Sequence, residues 1–188
     1  MSLSTPKFED ALQQLIAAPS ISSTQADIDM SNTLVIDLLA NWFKDRGFDV
    51  WLQPISDDQQ KVNLYASIGS GEGGLVFSGH TDTVPCDPDC WDGEPFSVKE
   101  TSLGYQGLGT TDMKGFFAVL LQSIGSTDLS KIQKPLTIVA TADEETSMAG
   151  ARALLQERIA GAERVVIGEP TDLQPIRMHK GILMESIQ

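Results

Sequence analysis

The chain has few of the residues that define several common classes of protein. Only two of its 188 residues are cysteines and only two are histidines. Cys86 and Cys90 cannot build a disulfide framework, and no second cysteine pair is present to complete a four-ligand structural zinc site. We therefore interpret them as incidental loop cysteines, although a role in zinc binding stays open.

Basic residues are also scarce. The sequence has 13 lysines and arginines against 26 aspartates and glutamates, which gives a formal net charge of -13. Such a chain would be repelled by phosphate backbones and anionic lipid, so we expect neither nucleic acid nor a membrane as a partner. A cationic small substrate is compatible with this charge, although many acidic proteins owe their charge to solubility alone.

Long apolar runs and familiar nucleotide or nucleophile motifs are missing. No run reaches the length of a membrane-spanning helix, and no basic segment leads into an apolar stretch at the N-terminus, so we expect a cytoplasmic protein. The sequence has no G-x-S-x-G elbow and no Walker loop. Residues 69–74 match G-x-G-x-x-G, but an apolar strand pattern follows instead of a helix, which favours a turn between strands.

The apolar pattern, in a chain that is 41% hydrophobic, predicts alternating helices and strands. We predict helices over residues 8–17, 29–46, 113–124 and 149–159, and strands over 48–53, 62–68, 75–78, 136–142 and 164–167. The order strand, helix, strand, helix, strand in the second half is typical of a largely parallel sheet in an α/β fold.

Four short polar motifs follow the ends of apolar segments. They are Gly79-His80-Thr81-Asp82, Thr111-Asp112-Met113, Asp143-Glu144-Glu145 and Gly168-Glu169-Pro170. Ligands of an open parallel sheet collect beyond the carboxyl ends of its strands, so these motifs are expected to meet at one edge. One imidazole and several carboxylates are the donors of a hydrolytic metal site, and we predict that the metal is zinc.

Two of the motifs have competing structural interpretations. Taken alone, His80 fits a buried, hydrogen-bonded histidine as well as a metal ligand. In an extended segment Asp82 points the same way as His80 and can accept a hydrogen bond from its second ring nitrogen. Asp112 can bridge two cations, but it can equally cap the helix that follows it.

The consecutive acids also divide by role. As an uncompensated cluster they would repel one another, and a divalent cation removes that conflict. Neighbouring side chains diverge, so of Glu144 and Glu145 one can bind metal while the other takes a proton from water. We interpret Asp143 as structural, and Glu169 offers a further carboxylate.

These segments resemble the M20 family of zinc peptidases and deacylases. The resemblance rests on residues 78–85, 107–115, 142–145 and 167–171, which occur in the family's order. Residues 113–118, 145–152 and 173–181 look most like its acetylornithine deacetylase branch. The resemblance implies a three-layer α/β/α zinc-peptidase-like catalytic domain with a mostly parallel mixed sheet.

The same resemblance implies a centre of two zinc ions, for which cobalt can substitute. His80 and Glu169 would bind one zinc, Glu145 would bind the second, and Asp112 would bridge them, often with a cis peptide bond after it. Glu144 would be the general base.

The resemblance also implies that Asp82 orients His80. The implied reaction is hydrolysis of N2-acetyl-L-ornithine to L-ornithine and acetate in arginine biosynthesis. Succinyl-diaminopimelate or another N-acyl amino acid is an alternative substrate, and a non-catalytic truncated fragment is a further alternative.

The chain is shorter than the family pattern. We expect residues 1–188 to be the N-terminal part of the catalytic domain, with the lid and dimerisation domain and the C-terminal catalytic part absent. The missing parts would supply a histidine for the second zinc, a histidine near the scissile carbonyl and most contacts of a homodimer. His179 does not match the family ligand, so we expect this chain alone to be inactive or severely impaired.

Overall fold

The computed structural model describes residues 5–159 and 161–178. Within them the helices are α1 (Phe8–Ile16), α2 (Thr33–Asp45), α3 (Lys114–Gly125), α4 (Ala149–Arg152) and α5 (Gln156–Ile159). The strands are β1 (Asp49–Pro54), β2 (Val62–Ile68), β3 (Leu75–His80), β4 (Lys99–Thr101), β5 (Gly104–Gln106), β6 (Leu136–Thr141) and β7 (Arg164–Ile167). No helix in these ranges is long and apolar enough to span a bilayer.

One mixed sheet organises the molecule, with strand order β1-β2-β6-β3-β7. The pairs β1–β2 and β2–β6 are antiparallel, whereas β6–β3 and β3–β7 are parallel. Strand β3 therefore lies between two parallel neighbours, with Gly79 opposite Ala140 and Ser78 opposite Ile167. The α/β class and the mixed sheet are confirmed, and parallel pairing among the described strands is confined to β6, β3 and β7.

Helices cover the two faces of the sheet unequally. Alternate residues of β2 and β6, including Leu64, Ala66 and Ile138, pack into the main core with α1, α2 and α3. The intervening residues Tyr65 and Val139 face the other way, into a smaller cluster with Leu154, Leu155 and Ile159 of the α4–α5 region. Because successive side chains of a strand point to opposite faces, both faces of the sheet pack against helices, and the molecule has three layers.

Strand β7 forms one edge of the sheet. Among the described residues it pairs with β3 alone. Its apolar side chains Val165, Val166 and Ile167 are 57%, 44% and 62% exposed. Its position from 164 to 167 agrees with the sequence prediction.

Two predicted helices differ from those observed. The helix predicted from residue 29 begins at Thr33, because Asp29 instead accepts hydrogen bonds from the Ser23 amide and from Lys61. The helix predicted over 149–159 is interrupted between α4 and α5. There the carbonyl of Ala153 accepts from Gln53 and the amide of Leu155 donates to Tyr65, so side chains of the sheet replace intrahelical bonds.

The loop region before α3 contains structure that the pattern did not predict. Strands β4 and β5 form a separate two-stranded antiparallel hairpin. They are only three residues long each, which is too short for a period of two to stand out in the sequence. The glycine-rich segment 69–74 is a turn between β2 and β3, as predicted, with φ of 84° at Gly69 and 112° at Gly74.

Candidate metal centre

Three neighbouring parallel strands bring the polar motifs to one edge of the sheet. His80 is the last residue of β3, Asp143 lies two residues beyond β6, and Glu169 lies two residues beyond β7. Asp112 arrives from the loop before α3, and its peptide bond to Met113 is cis, as the resemblance implied. The predicted convergence of the four motifs is therefore observed.

The ring of His80 is surrounded by carboxylates from three other segments. Its Nε2 atom lies 3.0 Å from Asp112 Oδ1, 3.8 Å from Glu169 Oε1 and 3.9 Å from Glu144 Oε2. The His80 side chain is 1% exposed, whereas those of Asp112, Glu169 and Glu144 are 50%, 40% and 32% exposed. A buried imidazole thus faces a ring of acids that is open to solvent on its far side.

One group of donors is compact enough to share a cation. Single ligand atoms of His80, Asp112 and Glu145 all lie within 4.8 Å of one another. An imidazole nitrogen with carboxylate oxygens is a donor set that zinc and similar divalent ions accept. The residues present therefore fit the metal that the sequence motifs suggested.

Asp82 connects the histidine to the acids that follow β6. His80 Nδ1 lies 3.0 Å from the main-chain carbonyl of Asp82, whereas the nearer carboxylate oxygen is 3.7 Å away. The other carboxylate oxygen accepts a hydrogen bond of 3.0 Å from the amide of Glu145. The acceptor for the histidine is thus the main chain of Asp82, where the sequence suggested its carboxylate.

The charges around His80 act against its burial. Burial alone would lower the pKa of His80, but the carboxylates of Asp82, Glu169, Glu144 and Asp112 outweigh it and raise the pKa above the usual value. Burial also raises the pKa of Asp82, against the hydrogen bond from the Glu145 amide and the attraction of His80.

Two acids of the ring resist ionisation. Burial raises the pKa of Glu145 to about 7, and repulsion from Asp112 and Glu144 adds to this effect. Burial and the same neighbours raise the pKa of Glu169. Neighbouring carboxylates favour the neutral form of one another. A nearby dication stabilises their anionic forms, which is a second reason why this donor set fits a metal.

Sequence reasoning missed two lysines beside these motifs. Lys61 contacts Asp143 at 2.7 Å, and Lys114 is fully buried two residues after Asp112. Two signals in the sequence could have identified them: one lysine directly precedes the apolar strand β2, and the other lies at the start of an apolar helix. Cys86 is half-buried and Cys90 is exposed, both as free thiols. His179 lies outside the described residues.

Comparisons with known proteins give consistent results. The model of Peptidase family M20/M25/M40 matches residues 76–181. Acetylornithine deacetylase of Shigella sonnei (strain Ss046) is 50% identical over 183 residues, which are 97% of this chain and 48% of that protein. Acetylornithine deacetylase of Klebsiella pneumoniae (strain 342) is 50% identical over 188 residues, which are 100% and 49%. The chain spans about half the length of the curated relatives it matches.

Solved structures resemble this chain in fold. An M20 family metallo-carboxypeptidase from Sulfolobus solfataricus gives a TM-score of 0.70 at 20% identity, over 87% of this chain and 37% of that one. Human carnosine dipeptidase 1 gives 0.69 at 20% identity, over 85% and 38%. At such identities the likeness concerns the fold alone.

Proposed function

The chain belongs to the peptidase family M20/M25/M40, and on that premise we propose that it forms the N-terminal part of the catalytic domain of a metal-dependent amide hydrolase. One observation carries the proposal: ligand atoms of His80, Asp112 and Glu145 lie within 4.8 Å of one another, at the edge where three parallel strands end. Glu144 and Glu169 border the same ring.

The proposed substrate is N2-acetyl-L-ornithine. The support is the 50% identity, over nearly the whole chain, to proteins named acetylornithine deacetylase. Hydrolysis gives L-ornithine and acetate, a step that serves arginine biosynthesis. Succinyl-diaminopimelate and other N-acyl amino acids are the alternative substrates, because the residues that choose the side chain are not among those assigned to the metal centre.

We assign the metal ligands by residue. His80 and Glu169 would hold one zinc, Glu145 would hold a second, and Asp112 would bridge them. When bound, zinc supplies Lewis acidity, which polarises an amide carbonyl and makes a neighbouring water molecule more acidic. Asp82 orients His80 through its main-chain carbonyl and holds the Glu145 amide through its carboxylate, so it links two ligands.

Glu144 is the proposed general base. Its carboxylate is one-third exposed and lies 3.9 Å from His80 Nε2, so it reaches the ring of ligands while remaining accessible to water. It would accept one proton from water as the water oxygen bonds to the amide carbon. It would then pass that proton to the nitrogen as the carbon–nitrogen bond breaks, which leaves a carboxylic acid and an amine; transfer of the remaining proton between them gives the carboxylate and the ammonium.

The remainder of the enzyme is also part of the proposal. Because this chain spans about half of its curated relatives, we propose that a lid and dimerisation domain and a C-terminal catalytic part complete the active site of a homodimer. Those parts would supply the remaining histidine ligand of the second zinc.

The test uses the complete protein loaded with zinc. Release of L-ornithine from N2-acetyl-L-ornithine is measured beside release of succinate from succinyl-diaminopimelate. We expect the first substrate to give the higher kcat/KM, and we expect Glu144→Gln to lower kcat by about 100- to 10,000-fold while zinc content is kept. Absence of hydrolysis of any N-acyl amino acid by the zinc-loaded protein would refute the proposed function.

A further inference from the structure

A buried lysine is bound to the acids that follow β6. Lys61 immediately precedes β2, and its side chain is 9% exposed. Its Nζ atom lies 2.7 Å from Asp143 Oδ1 and 2.8 Å from Asp29 Oδ1. One ammonium group therefore serves two carboxylates, which come from the loop before α2 and from the segment that carries Glu144 and Glu145.

Asp143 begins what we call the acidic turn, residues 143–147. The turn is closed by a hydrogen bond of 3.3 Å from the Ser147 amide to the Asp143 carbonyl. Asp143 has a φ of 53°, in the left-handed region that residues other than glycine adopt infrequently. Such a conformation persists only where its surroundings fix it, and the contacts of the Asp143 side chain are what fix it here.

A second contact secures the other side of the acidic turn. Ser22 Oγ lies 2.9 Å from Asp143 Oδ1 and 2.8 Å from Thr146 Oγ1. The side chains at positions 143 and 146 are thus both attached to the same neighbouring loop. Glu144 and Glu145 lie between them, so their main chain is held from both sides.

Charge explains why a lysine is needed at this position. Asp29 and Asp143 approach the same Nζ atom, so without the ammonium two carboxylates would face each other with no cation between them. Asp143 is only 18% exposed on its side chain, and like charges in partly buried positions separate toward solvent when they can. Movement of Asp143 would carry the following two glutamates with it.

We propose that Lys61 is a positioning residue which, through Asp143, fixes the acidic turn so that Glu145 reaches the metal and Glu144 reaches the substrate water. This inference rests on the proposed function of Glu144 and Glu145. A purely architectural role, in which Lys61 only ties the loop before α2 to the sheet, is the competing explanation. The two differ in whether catalysis and metal affinity change in a protein that remains folded.

The test compares Lys61→Met with wild type in the complete, zinc-loaded protein. We expect kcat to fall by about 10- to 100-fold, as is usual when a residue that supports a metal ligand is removed, with KM changed by no more than about 3-fold. Zinc affinity, measured by competition with a chromogenic chelator, is expected to weaken by a similar factor. Lys61→Arg keeps the charge and should recover part of both losses.

Lys99→Met is the matched control. Lys99 Nζ also lies 2.7 Å from an aspartate, Asp92, but both side chains are exposed, so kcat and zinc affinity should stay at wild-type values. If Lys61→Met is folded by circular dichroism and has wild-type kcat and zinc affinity, the inference is wrong.

A second variant tests the inference if Lys61→Met does not fold, and zinc affinity tests it if wild type is inactive. Should Lys61→Met fail to fold, Asp143→Asn removes the charge through which Lys61 acts and keeps the size of the side chain, and we expect kcat about 10-fold below wild type. Wild-type kcat in Asp143→Asn would then overturn the proposal. If wild type hydrolyses none of the substrates, the proposed function is wrong. The role of Lys61 is then tested by zinc affinity alone, and equal affinities in wild type and Lys61→Met would overturn it.

Discussion

Lys114 is the residue whose burial is hardest to reconcile with its charge. It is 0% exposed at the start of α3, and its ammonium donates a hydrogen bond of 3.0 Å to the Ala18 carbonyl. Burial lowers its pKa from 10.5 to about 7, and attraction to Asp82 offsets only part of this effect. The folded protein therefore releases this proton at a much lower pH than the unfolded chain does.

This residue gives a pH dependence with a definite sign. Between pH 7 and 10.5 the unfolded chain binds the Lys114 proton and the folded protein does not, so the unfolding free energy rises with pH. The steepest contribution is about 1.4 kcal/mol per pH unit. Urea unfolding of metal-free protein from pH 7 to 9 should show this rise in wild type and a smaller rise in Lys114→Met. Parallel curves for the two proteins would contradict the prediction.

Gly168 lies against the ring of Phe116 and leaves no room for a side chain. A Cβ atom at this position would overlap the ring of Phe116, and one at Gly79 would lie 3.0 Å from the same ring. Both glycines directly precede predicted ligands, Glu169 and His80. We expect Gly168→Ala to destabilise the fold by about 1–3 kcal/mol and to weaken zinc binding, because Phe116 or Glu169 must move.

The control for this substitution is Gly47→Ala. A Cβ there meets nothing within 4 Å, although its φ of 83° adds backbone strain. It should therefore lower thermal stability only through that strain and should leave zinc affinity unchanged. Zinc affinity of Gly168→Ala equal to that of wild type would show that Phe116 does not constrain the ligand.

The sequence predicted which proposed ligands converge, but it did not predict the residues that hold them in place. His80, Asp112 and Glu145 could be predicted because their donor chemistry and their places after apolar segments are visible in one dimension. The contacts of Lys61 and Lys114 could not be predicted, because each contact joins residues that are far apart in the chain. The carboxylate of Asp82 bonds the Glu145 amide, a contact that periodicity does not encode.

At the scale of elements, Asn63 joins β2 to the segments on both sides of the acidic turn. Its side-chain amide donates to the Gly150 carbonyl at 2.9 Å, and its oxygen accepts from the Ala142 amide at 3.1 Å. Asn63 is 0% exposed, so no water replaces these bonds if the side chain is lost. The residue thereby fixes the end of β6 relative to the start of α4.

Asn63→Leu should consequently be costly. It leaves a buried amide and a buried carbonyl without partners, for which we expect a loss of about 2–4 kcal/mol in unfolding free energy by urea titration. Ser67→Ala on the same strand is the control, since it removes one half-buried hydroxyl contact and should cost about 1 kcal/mol or less. Equal losses in the two variants would refute the argument.

Strands were predicted more accurately than helices, for a physical reason. The predicted and observed limits of β2 are the same, because the apolar alternation ends where the core ends. The α4–α5 break depends on side chains of β1 and β2 that bond backbone groups, as Tyr65 does for Leu155. The late start of α2 depends on the contacts of the Asp29 side chain with Ser23 and Lys61. Local propensity carries no information about such competitors.

We propose that residues 1–188 form only part of the active site. We expect the 188-residue chain alone to bind at most one zinc ion tightly. We also expect it to hydrolyse N2-acetyl-L-ornithine on the order of 100-fold more slowly than the complete protein, or not at all. Metal analysis after gel filtration and an ornithine assay check both points. Two tightly bound zinc ions with full turnover would contradict the expectation.

The fold class and the place of the site were predictable at this scale because an α/β sheet collects its ligands beyond the strand ends. The extent of parallel pairing could not be predicted, because long-range contacts determine which strands pair with β2. Both neighbours of β2 run antiparallel to it. Periodicity assigns no separate role to each acid; those roles come only from the resemblance to the family and stay part of the proposal.

The position of β3 between β6 and β7 has a kinetic consequence. His80, Asp143 and Glu169 come together only after β3 has paired with β6 and with β7, and both of these parallel pairings join distant parts of the chain. Pairings between distant segments are intrinsically slow, because the entropy of closing a long loop is lost before the contacts stabilise the chain. A zinc ion added during refolding should therefore find no site until the sheet is nearly complete, so that metal uptake marks the end of folding and does not initiate it.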